Sequence, residues 1–225
     1  MNNDKLISAL QRHKKDFSTL IPSLRQSQTK PLDLSQDSKL LEGIDLKNTP
    51  LFHKRLFDEI LRGKAGIGGY FENRAIYRRS AHYDGTEARS LHLGLDIWMP
   101  SGTSVHSPLQ GVIHSLQDNA GFGNYGPTIV VEHQIDSEAF FLLHGHLDVA
   151  SLDLWNPGDP IKKGQLVGNI GDFPENGDWP PHLHLQLIRD MLGHSGDFPG
   201  VAPPSMRSYY LQYCLDPDYI LVFND

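Results

Sequence analysis

The residues best equipped for chemistry lie in Pro180-Pro181-His182-Leu183-His184-Leu185-Gln186-Leu187. The alternation is strict, so on a strand His182, His184 and Gln186 line one face and Leu183, Leu185 and Leu187 the other. Two imidazoles side by side over an apolar underside suit a metal ion. Spacing alone is weak evidence, because 12 histidines in 225 residues give about 0.6 His-x-His pairs by chance. A second pair stands at His144-Gly145-His146. A carboxylate partner is offered by His92-Leu93-Gly94-Leu95-Asp96. On one strand His92, Gly94 and Asp96 share a face, and Gly94 leaves space between the two ligands. Chance supplies about one His-x-x-x-Asp, and the chain holds three, the others being His114/Asp118 and His144/Asp148. Spacing does not choose among them.

The elements that must position these groups are mostly strands. From Gly66 onward, short apolar runs at 91–98, 109–116, 127–133, 139–147, 165–170 and 182–188 alternate with Gly, Pro, Asn and Asp clusters. That pattern predicts a mainly β domain, a sandwich or barrel-like array with loop-borne function. Gly121-Phe122-Gly123-Asn124-Tyr125-Gly126 reads as a loop and lacks the G-x-G-x-x-G spacing and following helix of a nucleotide site. Ahead of this domain, residues 1–66 read as a helical extension. Leu6, Ile7, Leu10, Phe17 and Leu20 give a helical stripe over 4–20. Residues 22–48 read mostly as linker, with a short helix at 37–43. A second helix starts with Thr49 as cap and Pro50 in the first turn, carries Leu51, Phe52, Leu56 and Ile60, and ends at Gly63.

Composition narrows the class. No run reaches the roughly 18 apolar residues of a membrane span. Gln11-Arg12-His13-Lys14-Lys15 follows a polar start with no apolar h-region, so no secretory leader is expected. A lone Cys214 excludes an intramolecular disulfide and fits a reducing compartment, making the cytoplasm the expected location. Residues 1–66 carry net +4 and residues 67–225 net −11, together the −7 of the chain. An acidic main domain argues against nucleic acid or an anionic membrane as partner, and sits awkwardly with docking on an anionic cell wall.

The order of landmarks resembles the lysostaphin-type (LytM-like) zinc metallopeptidases. The landmarks are His92-Leu-Gly-Leu-Asp96 running to Pro100-Ser-Gly102-Thr103 and Gly111-Val112, then Gly145-His146-Leu147, then Gly158-Asp159-Pro160-Ile161-Lys162-Lys163-Gly164-Gln165, then His182-Leu183-His184. The likeness covers roughly residues 67–190, and Asp216-Pro217 through Leu221 resembles the usual closing strand. It implies that His92, Asp96 and His184 bind Zn2+ and that His146 and His182 are the catalytic histidines. It implies hydrolysis of a peptide amide bond by a zinc-activated water, in peptidoglycan-derived or other small peptides. Ile67-Gly68-Gly69-Tyr70, Tyr77-Arg78-Arg79-Ser80 and Asn176-Gly-Asp-Trp179-Pro-Pro-His are similar to a soluble subgroup. Its members also occur as a middle domain between phosphotransferase-like and aminotransferase-like domains, which leaves the substrate open.

His144 takes a position often Tyr in the family and is expected beside His146 in the cleft. Arg74, Arg78, Arg79 and Arg89 are half of the main domain's eight basic residues. Arg78 and Arg89 are the candidates for reading an anionic group on the substrate, against a plain solvated loop. His106, His114, His133 and His194 read as surface or satisfied core residues, and Cys214 as a small buried hydrophobe. The alternative to an enzyme is a binding or regulatory module that keeps the fold without turnover. A degenerate copy of that kind should have lost one of His92, Asp96 or His184, and none is lost.

Overall fold

The computed structural model describes residues 3–85 and 87–224. Its strands are β1 (Thr29–Pro31), β2 (Ala65–Gly68), β3 (Leu91–His92), β4 (Leu95–Trp98), β5 (Ser104–His106), β6 (Gly111–Asn119), β7 (Gly126–Ile135), β8 (Glu138–Gly145), β9 (Pro160–Ile161), β10 (Leu166–Asn169), β11 (Leu183–Ile188), β12 (Val201–Ala202) and β13 (Cys214–Leu215). Nine of them form one sheet in the order β1-β2-β4-β11-β8-β7-β6-β9, with β13 alongside β11. Pairing is antiparallel except between β1 and β2. Pairs β10-β5 and β12-β3 make two small sheets. The domain is mainly β as expected, but its main sheet stays open and no barrel closes.

Strand β11 is the axis of the sheet, flanked by β4 on one side and β8 on the other. Leu183, Leu185 and Leu187 are buried in one core with Ile97, Ile129, Val131 and Leu142. That core is capped by helix α1 (Asp4–His13), which contributes Leu6, Ala9 and Leu10, followed by Phe17 and Leu20. Burying each such leucine is worth about 1.5–3 kcal/mol, so α1 is held by packing. It stops at His13 in a short 3-10 turn, Lys14–Asp16, rather than running to residue 20, and Phe17 and Leu20 reach the core from the non-helical chain that follows.

Two other N-terminal expectations change. Residues 37–43 form turns and not a helix. The presumed linker docks through Leu32 and Leu34, which are buried against Phe52, Leu56 and Trp98, and through β1 on the sheet edge. Helix α2 (Thr49–Lys54) continues as a π-helical stretch, Arg55–Leu61, and is capped by Asn48, whose side chain accepts from the Leu51 N–H. Thr49 is freed from capping and instead accepts from Arg79 at 2.7 Å and donates to the Asp178 carbonyl. Near the other terminus the closing strand is Cys214–Leu215, while 217–219 form a 3-10 turn that buries Ile220 and Leu221 behind it. The sheet face opposite the leucines carries the polar groups of β4 and β11.

His144 and His133 stand in the leucine-side core. His144 faces Leu185 and Ile129 across the strands, and His133 lies 5.3 Å from the Phe140 ring. Each donates Nδ1–H to one backbone carbonyl, of Ile129 and Gln110 respectively. Burial pushes both down to about 4. The unfolded chain, with His near 6.5, then binds more protons than the native state below pH 6.5, so stability is lost as pH falls from 6.5 toward 4. The expected loss is on the order of 3 kcal/mol per histidine by pH 4. Urea unfolding of the metal-free protein should show a midpoint falling steadily from pH 7 to pH 5. A flat profile there would mean these rings ionise without cost.

Candidate metal centre

Cross-strand register builds the centre. Asp96 on β4 stands directly opposite His184 on β11, with Gly145 of β8 on the other side of His184. His92 does not share a continuous strand with Asp96. The chain bends at Leu93-Gly94, so β3 pairs with β12 while β4 joins the main sheet, and the bend swings the His92 ring toward His184. Gly94 sits against the His184 ring: a Cβ there would lie 2.7 Å from two of its atoms and 2.6 Å from the Leu185 carbonyl. The space anticipated between the two ligands is therefore occupied by the third.

Three atoms converge. His92 Nε2 lies 2.9 Å from His184 Nδ1, and Asp96 Oδ1 lies 3.2 Å from each. Ligand atoms on a tetrahedral zinc with bonds of about 2.0–2.1 Å are separated by about 3.3 Å, so the trio has the spacing of one tetrahedral face. Proton placement, assigned from the partners, leaves the inner atoms bare. The outer nitrogen of His92, Nδ1, faces the Gly69 carbonyl at 2.9 Å, which only accepts. The outer nitrogen of His184, Nε2, faces Gln186 Oε1 at 3.0 Å, and Gln186 is held in that orientation by donating to the Pro199 carbonyl and to Cys214 Sγ. Both outer nitrogens carry the hydrogen, so two imine lone pairs and a carboxylate oxygen meet with no proton among them. Such a donor set fits a divalent cation, and the oxygen acceptors behind each imidazole are the usual support for metal-binding histidines.

Charge around the trio is set by Arg74, which is completely buried. Its Nη1 donates to Asp96 Oδ2 and its Nε to Glu72 at 2.5 Å. Burial alone would push the Asp96 carboxyl up, but His92 and Arg74 beside it hold it well below the usual carboxylate range. Burial and the nearby Arg74 push His92 down to about 4. With Oδ2 taken by Arg74, Asp96 presents a single oxygen to the centre.

Two more histidines complete it. His182 stacks on Trp98 at 4.0 Å and His146 lies 4.2 Å from His182, ring to ring. Each donates Nδ1–H to a carbonyl at 2.8 Å, of Pro180 and Asn176 respectively, which leaves Nε2 as an acceptor. His182 Nε2 is 4.0 Å from Asp96 Oδ1, beyond the tight trio. Burial pushes His182 down to about 4, and burial with His182 and His184 nearby pushes His146 well below the ordinary histidine range. Both are neutral bases at neutral pH. His146 reaches the centre because β8 ends at Gly145 and His146 turns with φ 62°, its N–H bonded to the Tyr125 carbonyl.

That turn corrects the expectation for His144, which lies on the leucine side and does not line the cleft. Among the arginines, Arg78 is exposed and away from the cleft, whereas Arg89 lines it. Arg74 and Arg79 are buried, not solvated, and Arg79 lies over the rings of Trp179 and Phe122 at 4.6 and 4.7 Å. Cys214 is buried as expected, its thiol pushed up to about 12 by burial. The supporting roles of Arg74 and Tyr125 escaped sequence reasoning. Gln186 was visible on the histidine face of its strand. The cleft walls are aromatic, with Tyr77, Tyr83, Trp98, Tyr125, Trp179 and Phe198. No helix among the described residues is long and apolar enough to cross a membrane.

Residues 90–195 match peptidase family M23. Among solved structures, similarity is found to a zinc-containing peptidase from Vibrio cholerae, with 24% identity over 44% of this chain and 27% of that one and a TM-score of 0.34. The catalytic domain of the antimicrobial peptidase lysostaphin from Staphylococcus simulans shows 19% identity over 64% of this chain and 90% of that one, with a TM-score of 0.36. The catalytic domain of the prophage-encoded M23 protein EnpA from Enterococcus faecalis shows 19% identity over 56% and 95%, with a TM-score of 0.36. The chain thus spans about a quarter of the Vibrio cholerae protein's length. No curated protein matches it significantly.

Proposed function

We propose, from the premise that residues 90–195 form a peptidase family M23 domain, that this protein is a zinc-dependent hydrolase of amide bonds in peptides. The observation that carries the reading is the meeting of His92 Nε2, Asp96 Oδ1 and His184 Nδ1 as bare donors about 3 Å apart, with 2.9 and 3.2 Å between them. Zinc held by these three would polarise a carbonyl and bring a water's pKa to about 7.

The chain's own residues supply the remainder. His146 and His182, neutral and with Nε2 free to accept, stand on one side of the trio; each can take a proton at Nε2 from the attacking water and return it to the leaving nitrogen. Once protonated, either ring can donate to the oxygen that gains negative charge. Their Nδ1–H bonds to Asn176 and Pro180 fix the tautomer this needs. Arg74 keeps Asp96 ionised and oriented. The aromatic walls exclude water from the reacting groups, which strengthens every electrostatic interaction there.

Protein purified without chelator should contain about one zinc per chain by elemental mass spectrometry. A chain that stays empty after incubation with zinc would instead be a non-catalytic module that keeps the fold.

A further inference from the structure

The centre lies at the bottom of a pit. His92, Asp96, His146, His182 and His184 are each at most 5% exposed. The cavity lined by Asp96, His146, His182 and His184 has a volume of about 170 Å³, below the roughly 300–1,000 Å³ of sites that take drug-sized ligands. Part of its wall is made by Ile76, Tyr77, His82, Tyr83 and Arg89, and described residues around them are tied to two neighbouring segments. Toward the glycine-rich loop, Ser80 donates to the Phe122 carbonyl at 2.8 Å and Tyr83 to the Gly123 carbonyl. Toward the other side, Ser205 donates its backbone N–H to Glu87 at 3.2 Å, and Ser90 N–H bonds the Ala202 carbonyl at 3.1 Å. A long chain laid across a cleft needs both ends open. With the reacting groups this deeply buried beside so small a volume, the cavity has room for the end of a chain rather than for a chain passing through it.

Arg89 marks what end that is. It lines the pit, with its guanidinium 5.3 Å from the Tyr83 ring centroid and one Nη donating to the His82 carbonyl. It forms no ion pair among the described residues, although Asp197 lines the same cavity. A half-buried guanidinium beside aromatic walls, with its charge uncompensated, is suited to a carboxylate.

We propose, resting on the hydrolase reading above, that the protein acts on short peptides of about two to three residues that enter by a free terminal carboxylate held by Arg89. Internal bonds of long or cross-linked chains stay outside the pit. The reaction is hydrolysis: the amide C–N bond breaks, the hydroxyl of water goes to the acyl carbon and its proton to the leaving nitrogen.

The test uses the zinc-loaded full chain and four probes: di- and tripeptides as free acids, the same peptides as C-terminal amides, a 15-residue peptide blocked at both ends, and cross-linked peptidoglycan. Free acids should be cleaved, and amidation should lower kcat/KM about 100-fold. Arg89→Gln should erase the advantage of the acid over the amide, Arg89→Lys should restore part of it, and zinc stoichiometry should stay unchanged in both. Equal rates for acid and amide, or cleavage of the blocked peptide or the polymer as fast as the short acids, would overturn the proposal while leaving the hydrolase intact. A zinc-loaded chain that cleaves none of the four would overturn the hydrolase reading, and this one with it.

Discussion

Replacing His184 with alanine is expected to empty the metal centre, from about one zinc per chain to less than about a tenth. His184 Nδ1 is one of the three bare donors, at 2.9 Å from His92 Nε2 and 3.2 Å from Asp96 Oδ1. Two remaining donors do not make the three-ligand site that zinc needs to keep a position for water. This substitution is cleaner than one at Asp96. Without the carboxylate, Arg74 would be a buried charge with half its compensation gone, at a cost of about 3–5 kcal/mol that would confound metal loss with unfolding. Elemental analysis and competition with a chelator, on variants shown to keep the wild-type circular dichroism, provide the measurement. Full zinc occupancy in the His184→Ala protein would break the assignment of the trio.

His182→Ala is expected to do the reverse, keeping zinc while lowering kcat by about 10²–10⁴. The difference lies in distance and orientation. His182 Nε2 stands 4.0 Å from Asp96 Oδ1, its ring lies flat on Trp98, and its proton is committed to the Pro180 carbonyl. It is placed to exchange a proton with something in the pit, not to join the tight trio. His146→Ala should behave alike, and because the two rings are 4.2 Å apart and serve one proton transfer, the double variant should lose little more than either single one. Loss of zinc from His182→Ala would exchange the roles of His182 and His184.

Much of this centre was legible because a two-residue period is a local signal. The leucines of β11 announce which face is buried, and the histidines then take the other. Convergence of His92 with Asp96 was also legible, though by the wrong geometry: a single strand was expected, and a bend at Gly94 is what brings His92 to His184. His144 shows the limit of counting. Parity places it beside His146, but one left-handed residue at the strand end sends the two rings to opposite faces. Arg74 was visible only as part of a polar, basic stretch, since its partner Asp96 lies 22 residues away and burial of an arginine leaves no mark in the local pattern. Residues 32–34 were unreadable for a related reason. Two buried leucines make too short a run to distinguish a docked strand from a linker, and the surface they cover belongs to α2 and Trp98.

The pairing of β4 with β11 also bears on how fast the chain folds and comes apart. Asp96 and His184 are neighbours in space but 88 residues apart along the chain, with β11 inserted between strands formed much earlier in the sequence. Closing so long a loop is a late and entropically costly event. A pair of ligands that meets only when that strand is in place gives an ion little to hold in the disordered chain or on the way over the barrier. Metal would then act on the other limb of the kinetics: interactions absent from the transition state slow escape from the native basin and leave the approach to it nearly untouched. Zinc bound here would be a brake on unfolding rather than a nucleus for folding.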